Sequence, residues 1–261
     1  MKATIITFII FFSLISCIMS QEKTYAGLSN SGNPVFHYKP LEIDSSESLT
    51  GNPEIIEYID NHISKFFADT DIMVYHGNAS DKIPVDIYRI KPNREREYNI
   101  LITSGMSSLP MNVPQELDAF KYAELVALLP KDWPLEEKDL GDKNNYWPIR
   151  ELKYLSRFLH LNNTWFGGGH TNSSLDPHEY MAPGNKFVGV ILLKSVTLPE
   201  EFSEIRLDDK TVNIYMMVPL FKEEMEYRLN HGTDALLRRF DKYGIADIID
   251  INRINTCKTR F

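Results

Sequence analysis

Few side chains in this chain could act on a bond, and they are scattered. Ser104 and Ser107 lie in Thr103-Ser104-Gly105-Met106-Ser107-Ser108, His170 follows Gly167-Gly168-Gly169, and Asp86 and Asp176 are carboxylates that could complete a serine–histidine–aspartate set. Such a hydrolase uses the serine as nucleophile, the imidazole as base and the acid to orient it. The residues around Ser104 do not form the Gly-x-Ser-x-Gly elbow that exposes a nucleophile on a strand-to-helix turn. His170, His178, Glu179 and Asp176 share one polar stretch, yet their spacing fits no zinc pattern, and His178-Glu179-Tyr180-Met181-Ala182 lacks the second histidine of a helical metalloprotease site. The three glycines do not open a helix after a strand, so they make no phosphate cradle. No metal and no cofactor is expected. His170 is instead expected to bond backbone beside glycines that permit close approach.

The elements that would position these groups centre on Tyr98 to Pro114. The run Ile100-Leu101-Ile102 reads as a buried strand, and Thr103 to Pro114 is too rich in Gly, Ser and Pro to continue it. This places Met106 and Met111 on an exposed loop, where thioether side chains suit an adaptable contact surface. Ser104, Met106, Met111, Trp165 and His170 are therefore the candidate partner-binding residues. Trp133, Trp147 and Trp165 could anchor an interface, although each adjoins an element boundary, where core packing is the commoner explanation.

Around that centre the chain predicts an α+β domain. Asn52-Pro53-Glu54 starts a helix whose Ile55, Ile56, Ile59, Ile63, Phe66 and Phe67 recur at helical spacing. Three β-type segments follow, Ile72–His76, Pro84–Ile90 and Tyr98–Thr103, joined by short turns as an antiparallel meander. Tyr122–Leu129 reads as a further strand. A second helix begins at Trp147 and ends near Asn162, then come a strand at Phe187–Leu193, a hairpin of 204–207 with 211–218, and two short helices divided by Gly232.

Residues 1–16 have one basic residue, Lys2, and then an uncharged apolar run too short to span a membrane. Leu14-Ile15-Ser16-Cys17 resembles a bacterial lipoprotein signal, with Cys17 acylated as the new N-terminus; the alternative is an ordinary signal peptide cut after Ser20. Residues 17–51 read as a flexible tether and 52–261 as one domain. The expected address is the bacterial cell envelope, at a membrane and facing the periplasm or exterior. Loss of Lys2 takes the net charge from −8 to −9, which argues against a nucleic-acid binder. Only Cys257 would remain, so no internal disulfide is available.

An ordered set of segments resembles the Suppressor of fused domain. They are Val85-Asp86-Ile87-Tyr88 with Thr103-Ser104-Gly105-Met106, Glu124-Leu125-Val126 with Leu129-Pro130-Lys131-Asp132-Trp133-Pro134, Trp147-Pro148-Ile149-Arg150, Thr164-Trp165-Phe166-Gly167 with Gly169-His170-Thr171, and Val218-Pro219-Leu220-Phe221 leading into Glu224 and His231-Gly232. Order and spacing hold over about residues 54–257. The resemblance implies a mixed α/β domain, with a mainly antiparallel sheet and packed helices, that binds proteins without catalysis. It further implies that a bacterial single-domain member is an immunity protein, neutralising a polymorphic toxin by covering it. The alternative from another class is the exported hydrolase using a loop serine and His170.

Overall fold

A computed structural model describes residues 23–38, 53–68, 70–77, 83–173, 179–208 and 210–258. The leader, Cys17, Asp176 and His178 lie outside the described residues, as does the rest of the expected tether from 39 to 51. Within that tether residues 23–38 form a hairpin, β1 (Lys23–Leu28) with β2 (Pro34–Tyr38), and not loose chain. Val35-Phe36-His37-Tyr38 supplies β-branched and aromatic side chains, and Ser29 to Asn33 supplies the turn. Ser31 N donates to Leu229 O at 3.1 Å and Tyr38 Oη meets Thr164 Oγ1 at 2.9 Å, which docks the hairpin on the domain.

The main sheet contains β3 (Ile72–Tyr75), β4 (Asp86–Ile90), β5 (Tyr98–Ser104), β6 (Tyr122–Pro130), β7 (Thr171–Ser173), β8 (Phe187–Leu193), β9 (Glu204–Arg206) and β10 (Thr211–Phe221). Its order is β3-β4-β5-β6-β10-β8-β7, with β9 paired to the start of β10. The expected three-strand meander is present as β3, β4 and β5, β6 extends it, and among the described strands only the β6/β10 pair is parallel. The fold is the mixed, mainly antiparallel α+β arrangement that the sequence predicted.

Helix α1 (Pro53–Phe67) and helix α2 (Lys143–Leu161) pack on opposite faces of this sheet. Leu101, Leu125, Ala127 and Leu129 face α2, whereas Ile100, Ile102, Val126 and Leu128 face α1. This explains why the central strands read as unbroken apolar runs: both faces are covered. Each Leu or Ile so enclosed contributes about 1.5–3 kcal/mol of transfer free energy. On α1 the buried stripe is Ile55, Ile59, Ile63 and Phe67; Ile56, expected on it, is exposed because it follows Ile55 by one residue, about 100° around the helix. Helices α3 (Lys222–His231) and α4 (Thr233–Tyr243) complete the domain, with Gly232 between them at φ 85°. Among the described residues no helix is long and apolar enough to cross a membrane.

Candidate functional site

The segment after β5 does not form the exposed loop that its composition predicted. Ser104, Met106 and Met111, expected to be exposed, are buried, at 3%, 0% and 3% exposure, and present no surface to a partner. The cause is Glu124 on β6, a buried carboxylate that gathers the turn. Its Oε1 accepts from Gly105 N (3.2 Å), Ser107 N (2.9 Å) and Ser107 Oγ (2.6 Å), and its Oε2 from Thr103 Oγ1 (2.5 Å). Gly105 sits at φ 115°, and a Cβ there would lie 2.9 Å from Pro84 O, so only glycine lets the chain turn in. The two methionines then fill the α2-side core. Burial pushes the Glu124 carboxyl up to about 7 against the pull of these four donors.

Among the described residues the serine–histidine–aspartate set does not assemble. Ser107 is committed to Glu124, and Asp86 accepts from Gly77 N at 2.7 Å and lies 3.2 Å from His76 Nδ1. His170 packs its ring against Trp165 with centroids 4.4 Å apart. Among the described residues no group of three or more His, Cys, Asp or Glu could hold a metal ion.

What the structure brings together is a groove of about 890 Å³. One wall is β2 of the N-terminal hairpin, Pro34 to Tyr38. Tyr154, Arg157, Phe158 and Leu161 of α2 form a second, and Thr164, Trp165, Phe166 and His170 form a third. Strand β7 and Met225, Arg228 and Leu229 of α3 close it. Aromatic contacts stiffen the walls: Tyr38 meets Phe158 edge-on at 4.9 Å, and Phe158 stacks on Phe166 at 5.8 Å. Of the candidate contact residues, Trp165 and His170 line this groove.

Two strands that line the groove each pair on one side only among the described residues. Strand β7 ends the sheet and pairs with β8, and β2 pairs with β1. Strand β7 lies close on β8 because position 189 is glycine; a Cβ there would sit 2.5 Å from Asn172 O and 2.7 Å from Ser173 Cβ. At the head of β7, Gly169 N donates to Leu192 O at 2.7 Å and Leu192 N donates to His170 O at 2.9 Å. Arg228 Nη2 donates to Gly169 O at 2.8 Å, fixing α3 to the same point. Burial holds the His170 imidazole below its ordinary pKa, and the Arg228 charge adds to this, so the ring is neutral at pH 7.

The family model of the Suppressor of fused protein matches residues 81–254. The chain belongs to the Suppressor of fused family. Its fold is similar to that of a Suppressor of fused homolog from Neisseria gonorrhoeae, at 19% identity and TM-score 0.58, over 80% of this chain and 100% of that one. It is also similar to a chain of the Sufu–Fu complex (12%, TM-score 0.54, 77% of this chain and 92% of that one). Drosophila Suppressor of Fused gives 14% and TM-score 0.54, over 79% of this chain and 52% of the fly protein. Comparison with curated protein sequences gives no match. The Suppressor of fused segments quoted from the sequence fall on β4, β5, β6, α2, the 164–171 wall and the β10–α3 junction, so they build much of the core and one wall of the groove.

Sequence reasoning missed the hairpin wall, Phe158 and Arg228. The signal for β2 was present: a run of Val, Phe, His and Tyr between Pro34 and Pro40 is a short strand pattern inside a segment whose overall polarity concealed it.

Proposed function

We propose that this protein is a non-catalytic binding domain that accepts an extended segment of a partner protein in the groove between β2 and β7. The observation that carries this reading is the pair of strands, each with one side unpaired among the described residues, that line one aromatic-walled groove. An extended peptide gains main-chain hydrogen bonds from such an edge and side-chain specificity from the flanking pockets. Membership of the Suppressor of fused family supports protein binding, since a relative occurs in the Sufu–Fu complex. The leader, with Cys17 after Leu14-Ile15-Ser16, supports an acylated protein held at a bacterial membrane and facing the periplasm or exterior. On that address the partner is a toxin, and binding covers it.

The test has two arms. Co-expression with a toxin encoded beside this gene should rescue growth, and the purified pair should form a complex; absence of both defeats the immunity role. A photo-crosslinking residue at Asn172 on β7 should capture the partner, while one at the exposed Arg206 on β9 should not. Capture at Arg206 alone places the contact elsewhere and defeats the groove.

A further inference from the structure

The polar lining of the groove is one-sided. Lys23, Arg157 and Arg228 line it together with His37 and His170, and among the described residues no Asp or Glu does, although acids outnumber bases by 36 to 28 in the whole chain. An acidic protein has placed a cationic, aromatic channel along the edge of its sheet.

Arg228 sharpens the point. It is 7% exposed, and its Nε has no hydrogen-bond partner. The other buried guanidinium groups are provided for. Arg253 pairs with Glu224 at 2.6 Å and Arg89 with Glu136 at 2.9 Å, while Arg96 donates to the carbonyls of Lys91 and Tyr98. Arg228 has one carbonyl, Gly169 O, and no carboxylate among the described residues. A charge taken out of water without a counter-charge is costly, and a buried donor without an acceptor adds to that cost. A ligand that supplies an anionic acceptor relieves both at once.

We infer that the segment taken up by the groove carries an acidic side chain, set between apolar or aromatic neighbours, whose carboxylate pairs with Arg228 at the head of β7. This rests on the groove reading given above and adds the chemistry of the occupant. The aromatic walls Phe158, Phe166 and Trp165 receive the neighbours, and the edges of β7 and β2 receive the main chain.

The test uses the full-length protein and three fluorescent peptide pools, acetylated and amidated so that a side chain is the only carboxylate. The peptides are roughly nine residues long, about 30 Å when extended. The central residue is fixed as Glu, Gln or Lys, and the others are drawn from Val, Leu, Phe, Tyr, Ser and Thr. Fluorescence anisotropy should show the Glu pool binding at least about tenfold tighter than the Gln pool, with the Lys pool weakest. Arg228→Gln should equalise the Glu and Gln pools, and Arg228→Lys should keep part of the preference. If Arg228→Gln does not fold, the comparison of pools on the unaltered protein decides alone. Equal binding of Glu and Gln pools, or preference for Lys, overturns the carboxylate inference and leaves the groove reading standing. No binding by any pool overturns both.

Discussion

Glu124 makes the stability of this domain depend on pH in a calculable way. Its carboxyl is fully buried and lies at about 7 in the fold against an ordinary 4.5. At about 1.4 kcal/mol per pKa unit the difference corresponds to about 3 kcal/mol. The folded protein holds the proton more tightly than the unfolded chain, so the stabilisation is complete below about pH 4.5, declines as pH rises to about 7, and is absent above. The hydrogen bonds accommodate both forms. When the carboxyl is protonated its O–H can donate to Thr103 Oγ1, whose own hydrogen turns to Leu125 O at 3.4 Å. Glu124→Gln removes the titration and presents an NH2 group whose first N–H can donate to Thr103 Oγ1 as the carboxyl O–H does, leaving the second buried N–H without an acceptor at a cost of about 1–3 kcal/mol. Urea unfolding of both proteins from about pH 4.5 to 7.5 should show the unsubstituted protein losing about 3 kcal/mol relative to the variant, so that its advantage at low pH vanishes or reverses at high pH. Glu151, half-buried on α2, is also pushed up to about 7 by burial, but it is common to both proteins and cancels in the difference. An advantage that stays flat across this range, or that grows with pH, would refute the reasoning, because it would mean that the four donors outweigh burial and keep the carboxylate ionised.

Arg253→Ala strips Glu224 of its counter-charge and removes a guanidinium packed 4.7 Å from the Phe221 ring; equilibrium unfolding should show a loss of about 3–5 kcal/mol. Gly189→Ala drives a methyl into Asn172 O, so amide exchange at Thr171 to Ser173 should accelerate and stability should fall by about 1–3 kcal/mol. Tyr38→Phe deletes the hydroxyl contact with Thr164 while keeping the ring on Phe158, and should cost about 1 kcal/mol, read as faster exchange of the β1–β2 amides. Unchanged exchange there would mean that the hairpin is held by its turn at Ser31 and not by Tyr38.

The meander was legible because Ile72, Ile87 and Ile100 sit in apolar runs broken by clear turns, and the amphipathic stripe of α1 was legible for the same local reason. The two methionines were misplaced because a turn rich in Gly and Ser is ordinarily wet, and nothing near in sequence announces that Glu124, seventeen positions beyond Ser107, supplies the acceptors that let it go inside. The hairpin was hidden by averaging: a five-residue strand is diluted in some thirty polar residues. The groove was illegible for a different reason. It draws Tyr38, Phe158, His170 and Arg228 from four separate parts of the chain, and their convergence is a property of sheet order.

The parallel pairing of β6 with β10 bears on how the protein is made. Val212 lies opposite Tyr122, about ninety residues earlier, so the central β6/β10 joint cannot form until nearly the whole polypeptide has left the ribosome. Closing so long a loop is slow compared with hairpin formation. If the proposed leader threads the chain through a translocation channel, such delay would be useful: the nascent polypeptide would stay pliable during transit and set into its final form on arrival.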